Sequence, residues 1–315
     1  MLQFPLGEFL DEQKCYEFLK GLLHSDSFRC PCGYELPTGP APHKRQKRRV
    51  VVNYRCRVCG KVFNIFTDTL WSGSSYPCSQ IVLLLHGFSQ GTPTLHLAQE
   101  LGLDYKTLLE RRPQLQGHVF DSRPQEPLTD EVVEADEMFQ NAGEKGTPPC
   151  DPKDPPRRRA NQQVGKGTMN NDRPPVFGVV GRTSGQIRWE VCEDTKQKTI
   201  QPQVEKKTED TTTLYTDDSS AYNKVAQTGR THATVKHSHK EWARDDDGDG
   251  VREVHSNTME GTWTGLRNFL RPFRGVHKRY LHLYVVMFEW AHNLKTVTED
   301  FLRALMISGF TSKHI

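Results

Sequence analysis

The chain has 315 residues, enough for two or three compact units with cores of their own. Its formal net charge of +3 is close to neutral, so total charge selects no partner, and it holds no run of about 18 apolar residues that would span a bilayer. The leading MLQFPLGEFLDEQ has neither a basic start nor a long apolar core and does not read as a secretory signal; eight unevenly spaced cysteines do not make a disulfide scaffold and point to a reducing, cytoplasmic setting.

The distribution of charge says more than its sum. HKRQKRR (43–49), RRR (157–159) and RGVHKR (274–279) are basic clusters, whereas RDDDGDG (244–250) is an acidic block. Any one such run reads as a solvated loop. Together they suit a protein that meets nucleic acid on some surfaces and holds cations on another.

Residues 1–28 predict one short helix, DEQKCYEFLKGLL, with Cys15, Phe18, Leu19 and Leu22 on its apolar side. Residues 29–70 place two close cysteine pairs, Cys30 with Cys32 and Cys56 with Cys59, around a basic, β-rich stretch. Soft thiolates at two knuckles, each followed by a glycine that permits a tight turn, are the donor set of a tetrahedral Zn²⁺ ribbon. The C-x-C spacing of the first pair is tighter than the usual C-x-x-C. Cys15, Cys78, Cys150 and Cys192 are isolated and receive no role. The neighbouring HKRQKRRVVVNYR tilts the ribbon toward phosphate.

Residues 77–120 read as helical. Within them TPTLHLAQELGLDYKTLLERR (92–112) puts Leu95, Ala98, Leu101 and Leu103 on an inner face with Gly102 in the turn. A second helix starting near Asp104 then carries Tyr105, Lys106, Thr107, Arg111 and Arg112. This is the pattern of a helix-turn-helix, with Lys106, Arg111 and Arg112 as candidate DNA contacts.

From 131 to 300 strand-like and helix-like segments alternate, which argues for an α/β unit. EVVEADEMF (131–139) is a strand with Glu134, Asp136 and Met138 on one face and Val133, Ala135 and Glu137 on the other. PPVFGVVGR (174–182) and GQIRWEVCED (185–194) form a hairpin pair, and TKQKTIQPQVEKK (195–207) is helix-like. TTTLYTDDSSAYNKVAQ (211–227) is a strand ending in Asp217 and Asp218, followed by a helix capped at one of these residues or at Ser219. THATVKHSH (231–239) is a further strand candidate. The last helix is HSNTMEGTWTGLRNFLRPF (255–273), whose Met259, Trp263, Leu266, Leu270 and Phe273 draw one apolar stripe beside Glu260.

Acids on the first strand, at the end of the fourth and on the final helix match a ribonuclease-H-like layout, in which the first and fourth strands are neighbours. Three converging carboxylates would repel one another unless they shared divalent cations. Two Mg²⁺ ions (or Mn²⁺) relieve that repulsion and activate water or a 3′ hydroxyl toward a phosphodiester.

VVEADE, LYTDDSSAY and HSNTMEGTWTGLR, preceded by YRCRVCGKVF and a helix-turn-helix, appear in one order from about residue 10 to 300. In these features the chain resembles the DDE transposases of bacterial insertion sequences, in particular the ISXO-two-like group with an N-terminal zinc ribbon. The resemblance implies metal-binding catalytic acids at Asp136, Asp217 (with Tyr222 five residues on) and Glu260. It places Arg267 where the family usually has Lys, on the face of Glu260 and two turns away, able to meet a DNA phosphate. Asn257 and His255 belong to the family's His-x-Asn lead-in, as candidates to orient Glu260 or touch substrate. It also implies terminal inverted repeats and target DNA as partners, action as a homo-oligomer on DNA near the nucleoid, and no membrane role.

The chain departs from the pattern at Asp218, which stands where Gly is expected and could compete with Asp217 for metal. Arg267 keeps the charge of Lys but changes its hydrogen-bonding geometry. The acidic block is superficially similar to a calcium loop, but its twelfth position is Ser256, so it reads as a plain loop. Two further readings stay open: a transposase-derived DNA-binding protein without catalysis, and a ribonuclease-H-like nuclease without strand transfer.

Overall fold

A computed structural model describes residues 11–24, 27–36, 43–45, 50–144, 164–236, 239–246, 248–295 and 298–307. The basic runs 46–49 and 157–159, Cys150 and Asp247 lie outside the described residues. The chain divides into two compact units, one built from residues 1–123 together with 294–315 and the other from 124–293.

The first unit opens with α1 (Glu12–Leu23), capped by the Asp11 carboxylate on the Lys14 amide. Its buried side carries Cys15, Tyr16, Leu19 and Leu22, so Tyr16 takes the place expected of Phe18. Strands β1 (Lys44–Arg45), β2 (Val52–Arg55) and β3 (Val62–Phe63) pair antiparallel in sequence order. Helices α2 (Cys78–Ser89), α3 (Thr94–Leu101) and α4 (Tyr105–Asp121) follow. Helix α2 starts after Pro77 with no side-chain cap of its own; Glu12 of α1 supplies one, accepting from the amides of Cys78 and Ser79 at 2.9 and 3.0 Å.

The two-helix turn at 94–121 forms as expected, with Gly102 left-handed (φ +62°) and Asp104 capping α4 through the Thr107 amide. Its inner face differs from the sequence reading. Thr94, Leu97 and Ala98 are buried, whereas Leu95 is 49 % exposed and Leu101 and Leu103 are only half-buried. The close approach is set from α2: a Cβ on Gly87 would fall 2.3 Å from a Leu97 methyl, so only glycine fits there.

Arg112 corrects a second expectation. It is buried, donates to Thr94 Oγ1 at 2.8 Å and to the Thr92 carbonyl, and stacks on the Phe88 ring at 4.4 Å. A guanidinium enclosed in this way fastens α4 to the start of α3 and to α2. Arg111 is half-buried, bound to the Leu70 carbonyl at 2.5 Å and lying over Trp71. Of the three basic candidates, Lys106 alone is fully exposed, beside exposed Tyr105 and Thr107. The closing helix α8 (Glu299–Met306) belongs to this unit, not to the α/β region: Met306 accepts the Trp71 indole N–H, and the Leu305 carbonyl meets His118 at 3.1 Å.

The second unit is a five-stranded mixed sheet of β4 (Val132–Phe139), β5 (Pro175–Gly181), β6 (Ile187–Val191), β7 (Thr213–Asp217) and β8 (His232–Val235), in the order β6-β5-β4-β7-β8. The pairs β4–β5 and β5–β6 are antiparallel; β4–β7 and β7–β8 are parallel. Central β5 is buried at every position, the expected fate of the unbroken apolar run PVFGVVG. Helix α5 (Gln197–Lys207) covers one face: Ile200 and Val204 pack with Val133, Ala135, Phe177, Val179 and Leu214. Helices α6 (Asn257–Leu270) and α7 (Leu281–Leu294) cover the other: Met259, Trp263, Leu266, Leu270, Leu281 and Val285 pack with Met138, Val176, Val180, Ile187 and Trp189.

Two elements differ from expectation. The helix anticipated after Asp217 is a pair of short 3₁₀ turns, Ser220–Tyr222 and Val225–Thr228, the second ended by left-handed Gly229. And α6 is not the last helix, since α7 follows it. Helix α7 seals the outer edge of β6. Asn293 accepts from the Ile187 amide and donates to its carbonyl at 2.8 and 3.0 Å, while Glu289 accepts from the Trp189 amide at 2.9 Å. Side chains thus occupy the backbone groups of Ile187 and Trp189 on that edge, where a neighbour strand would otherwise pair.

Replacing Arg112 with Met keeps much of the bulk but removes both hydrogen bonds and the ring stacking. The expected result is a loss of about 2–4 kcal/mol of stability in a denaturant melt, whereas Lys106→Ala leaves the melt unchanged within about 0.5 kcal/mol.

Candidate active site

Strand β4 carries Glu134, Asp136 and Glu137 within four positions of a sheet interior, and each is handled differently. Alternation sends Glu134 and Asp136 toward α6 and Glu137 toward the α5 side, as the pattern required.

Asp136 faces Trp263, whose indole N–H donates to its Oδ2 at 3.0 Å. Beneath it the paired residue on β5 is Gly178, where a Cβ would meet the Trp189 and Trp263 rings at 2.5 and 2.6 Å. The absence of a side chain lets Trp263 lie against Trp189, with centroids 4.5 Å apart, and Trp189 stack on Phe288. An aromatic floor therefore supports the carboxylate. Burial, and then the negative charges of Asp217 and Glu260, push the Asp136 carboxyl up to about 6, against its hydrogen bonds.

That charge effect brings together acids from three elements. Asp217 ends β7, and the β4–β7 register pairs Val132 with Thr213 and Glu134 with Tyr215. Continued by two residues, it sets Asp217 level with Asp136. Asp217 accepts from the Ser219 amide at 3.1 Å, which orders the turn behind it. Asp218 lies one residue beyond the strand and is exposed; it is not among the main charges acting on Asp136. Glu260 is exposed in the first turn of α6, three residues before Trp263. Asn257, Thr264 and Arg267 are also exposed on that helix and share its outward strip with Glu260. Carboxylates are hard oxygen donors of the kind that divalent cations take.

Glu137 points the other way and accepts from the Tyr222 hydroxyl at 2.6 Å. Burial, with the charges of Asp136 and Asp217, pushes its carboxyl up to about 8 in spite of that bond. The bond ties β4 to the turn that follows Asp217.

Glu134 is fully buried. Arg182 Nε reaches its Oε1 at 2.8 Å, the Thr258 hydroxyl reaches the same oxygen at 2.8 Å, and the Met259 amide reaches Oε2 at 3.0 Å. His255 joins this network and does not face outward. Its Nδ1 takes an N–H from Arg182 at 2.9 Å and one from the Asn257 amide at 3.3 Å. Burial, and then the guanidinium, hold the imidazole below its usual range, and it approaches Glu134 at 3.2 Å.

In the first unit, the sulfurs of Cys30, Cys32, Cys56 and Cys59 lie within 4.8 Å of one another, close enough to hold a metal ion. The cross-pair distances are 3.5 Å (Cys30–Cys59) and 3.7 Å (Cys32–Cys56). The amides of Val58 and Cys59 point at Cys56 Sγ and, chiefly through the Cys59 amide, bring that thiol down to about 6. Gly33 and Gly60 take φ of +89° and +74°, the left-handed turns the knuckles require. The tight C-x-C pair therefore closes the same cluster as the C-x-x-C pair. Phe28, Tyr34, Tyr54 and Phe63 pack around it.

Sequence reasoning missed Trp263 and Gly178 as part of the site, and the partners of Glu134 and Glu137. The available signal was the charge density of EADE in a strand that the flanking pattern buries. The basic cluster at 274–279 is partly spent inside the fold, because Lys278 is held by Glu144 and Asp172 at 2.9 and 3.1 Å.

A mixed sheet with acids on its first strand, at the end of the parallel neighbour and on the following helix defines a ribonuclease-H-like domain. The chain belongs to the family described as the ISXO2-like transposase domain, whose model matches residues 127–293. It is also similar, at 26 % identity over 288 residues, to an uncharacterized protein in transposable element ISH50 of Halobacterium salinarum; the match covers 90 % of this chain and 92 % of the other. Among the described residues no helix is long and apolar enough to cross a membrane.

The raised Asp136 carboxyl carries a stability consequence. The folded chain holds that proton more tightly than the unfolded one, so the contribution is favourable below about pH 4 and is lost as pH rises toward 6. In metal-free protein at pH 7.5, Asp136→Asn is expected to stabilise the fold by about 1–2 kcal/mol, with the gain vanishing near pH 4; thermal melts at the two pH values measure it.

Proposed function

We propose that the chain is an active DDE transposase that cuts and joins DNA at the ends of its mobile element. The observation carrying this reading is geometric: Asp136 on β4 is held by Trp263 of the helix that bears Glu260, beside the parallel strand that ends in Asp217. Asp136, Asp217 and Glu260 would hold Mg²⁺ or Mn²⁺, which supplies charge neutralisation and an activated water or 3′ hydroxyl for attack on a phosphodiester. Trp263 fixes the orientation of Asp136, and the aromatic floor keeps that carboxylate from relaxing away from its neighbours. Arg267, seven residues after Glu260 on the exposed strip, meets a DNA phosphate. Asn257 opens the same strip and is placed to touch substrate, whereas His255 serves the fold of the α6 start.

The cysteine cluster holds Zn²⁺, for which four sulfurs within 4.8 Å of one another form a fitting donor set. The α3–α4 pair is the DNA-binding element, with Lys106, Tyr105 and Thr107 at the exposed start of α4 in the recognition position. The ligands there are the terminal inverted repeats.

The test uses full-length protein with duplexes carrying the element's own ends and Mg²⁺. Strand transfer is expected from the wild type, with losses of about 10³-fold or more for Asp136→Ala, Asp217→Ala and Glu260→Ala. Activity near wild type in all three variants would refute the assignment. Cleavage without joined product would instead indicate a nuclease, and binding without Mg²⁺-dependent nicking a non-catalytic DNA-binding protein.

For the ribbon, one equivalent of zinc per chain is expected by elemental analysis of the purified protein. Cys56→Ala should lose it and lower the melting temperature, because metal binding at such a small core is folding free energy.

A further inference from the structure

We propose that Glu134 is a positioning residue that sets the place of Glu260 by capping helix α6 from across the fold. This rests on the assignment of Glu260 as a metal-binding acid. Helix α6 has Ser256 at its N-cap position, and that side chain makes no cap hydrogen bond. The Met259 amide and the Thr258 hydroxyl are satisfied instead by Glu134, a residue 125 and 124 positions earlier on β4. Glu260 is the next residue after Met259, and Trp263, which holds Asp136, lies one turn further on.

Glu134 and Asp136 stand two residues apart on one face of β4. A single rigid strand therefore carries both the first acid and the anchor for the helix that carries the third. The anchor is itself held. Arg182 pairs with Glu134 and is fastened in turn to the carbonyls of Glu253 and His255 at 2.5 and 3.0 Å and to His255 Nδ1, with its guanidinium 4.7 Å over the Tyr215 ring.

The network positions α6 and is neither a source of stability nor a metal site. A buried ion pair is a poor source of stability, because desolvating the two charges offsets most of their attraction. An ordinary Ser or Asp cap would satisfy the same amides at the surface without that cost. What the buried carboxylate adds is a fixed distance between α6 and β4. Nor is it a fourth metal ligand. Its Oε1 takes donors from Arg182 and Thr258, its Oε2 takes the Met259 amide, and the residue is inaccessible to solvent.

The test measures Mn²⁺ binding by electron paramagnetic resonance on full-length wild type, Glu134→Gln, Thr258→Val, Glu260→Gln and the double variants on the Glu260→Gln background. Hydrogen exchange across residues 256–262 is followed in parallel. Wild type should bind Mn²⁺, and Glu260→Gln should bind it more weakly. Glu134→Gln is expected to weaken binding by about 10–100-fold, as loss of a ligand-orienting partner does, and to speed exchange at the start of α6. Thr258→Val removes one hydrogen bond without changing charge and should weaken binding by a few-fold (roughly 3). On the Glu260→Gln background both substitutions should have almost no further effect, because they act through that side chain.

Wild-type affinity in a folded Glu134→Gln protein, or losses that multiply with that of Glu260→Gln, would overturn the proposal. If Glu134→Gln does not fold, the Thr258→Val pair decides by the same criterion. A wild type that binds no Mn²⁺, or a Glu260→Gln variant that binds it normally, overturns the assignment of Glu260 itself, and those two arms separate that failure from this one.

Discussion

The parallel pairing of β4 with β7 is the constraint on which the rest of the α/β unit depends. Its register levels Asp136 with Asp217 and directs both to the side covered by α6. A slip of one residue would send Asp136 to the α5 side and put Glu137 and Ala135 where the acid now stands. The slip is resisted from both faces. Val133 and Ala135 fill one apolar core, Met138 fills the other, and neither set can exchange with the carboxylates between them.

Holding several acids on one buried strand requires a separate solution for each. Glu134 is met by a guanidinium and two further donors. Glu137 faces a tyrosine hydroxyl and is shifted far toward its neutral form. Asp136 receives the Trp263 indole N–H and lies beside two other acids, Asp217 and Glu260. The two flanking acids link β4 to the two elements that bear Asp217 and Glu260. The aromatic floor depends in turn on Gly178, because any side chain there would displace the rings that support Asp136.

Much of this was legible in the sequence. Strand β4 and its alternation, the β5–β6 hairpin, the stripe of α6 and the two cysteine knuckles follow from periodicity and turn chemistry, which are local. The errors arose where a neighbour outside the local window decided the outcome. Arg112 looked like a surface base on a helix, but Thr94, the Thr92 carbonyl and Phe88 enclose it. For His255, a candidate to orient Glu260 or touch substrate, no local pattern shows that Arg182 donates to its ring. Leu95 and Leu97 are both apolar and two residues apart, and the glycine at position 87 of another helix selects Leu97 for burial. Helix α7 is apolar around much of its surface and offers little periodicity, since it covers a core and seals a strand edge at once.

The sequence by itself determined the kinds of elements, the donor types and the order of the acids along the chain, because backbone periodicity and side-chain chemistry are properties of short stretches. Only the tertiary structure decided which charges face one another and which are consumed internally. Residues as distant as Glu134 and Met259 interact through a register and a helix placement that no local pattern contains. Glu134, Asp136 and Glu137 are nearly the same chemistry in one strand, and the partners brought by β7, α6 and Arg182 give each a different role.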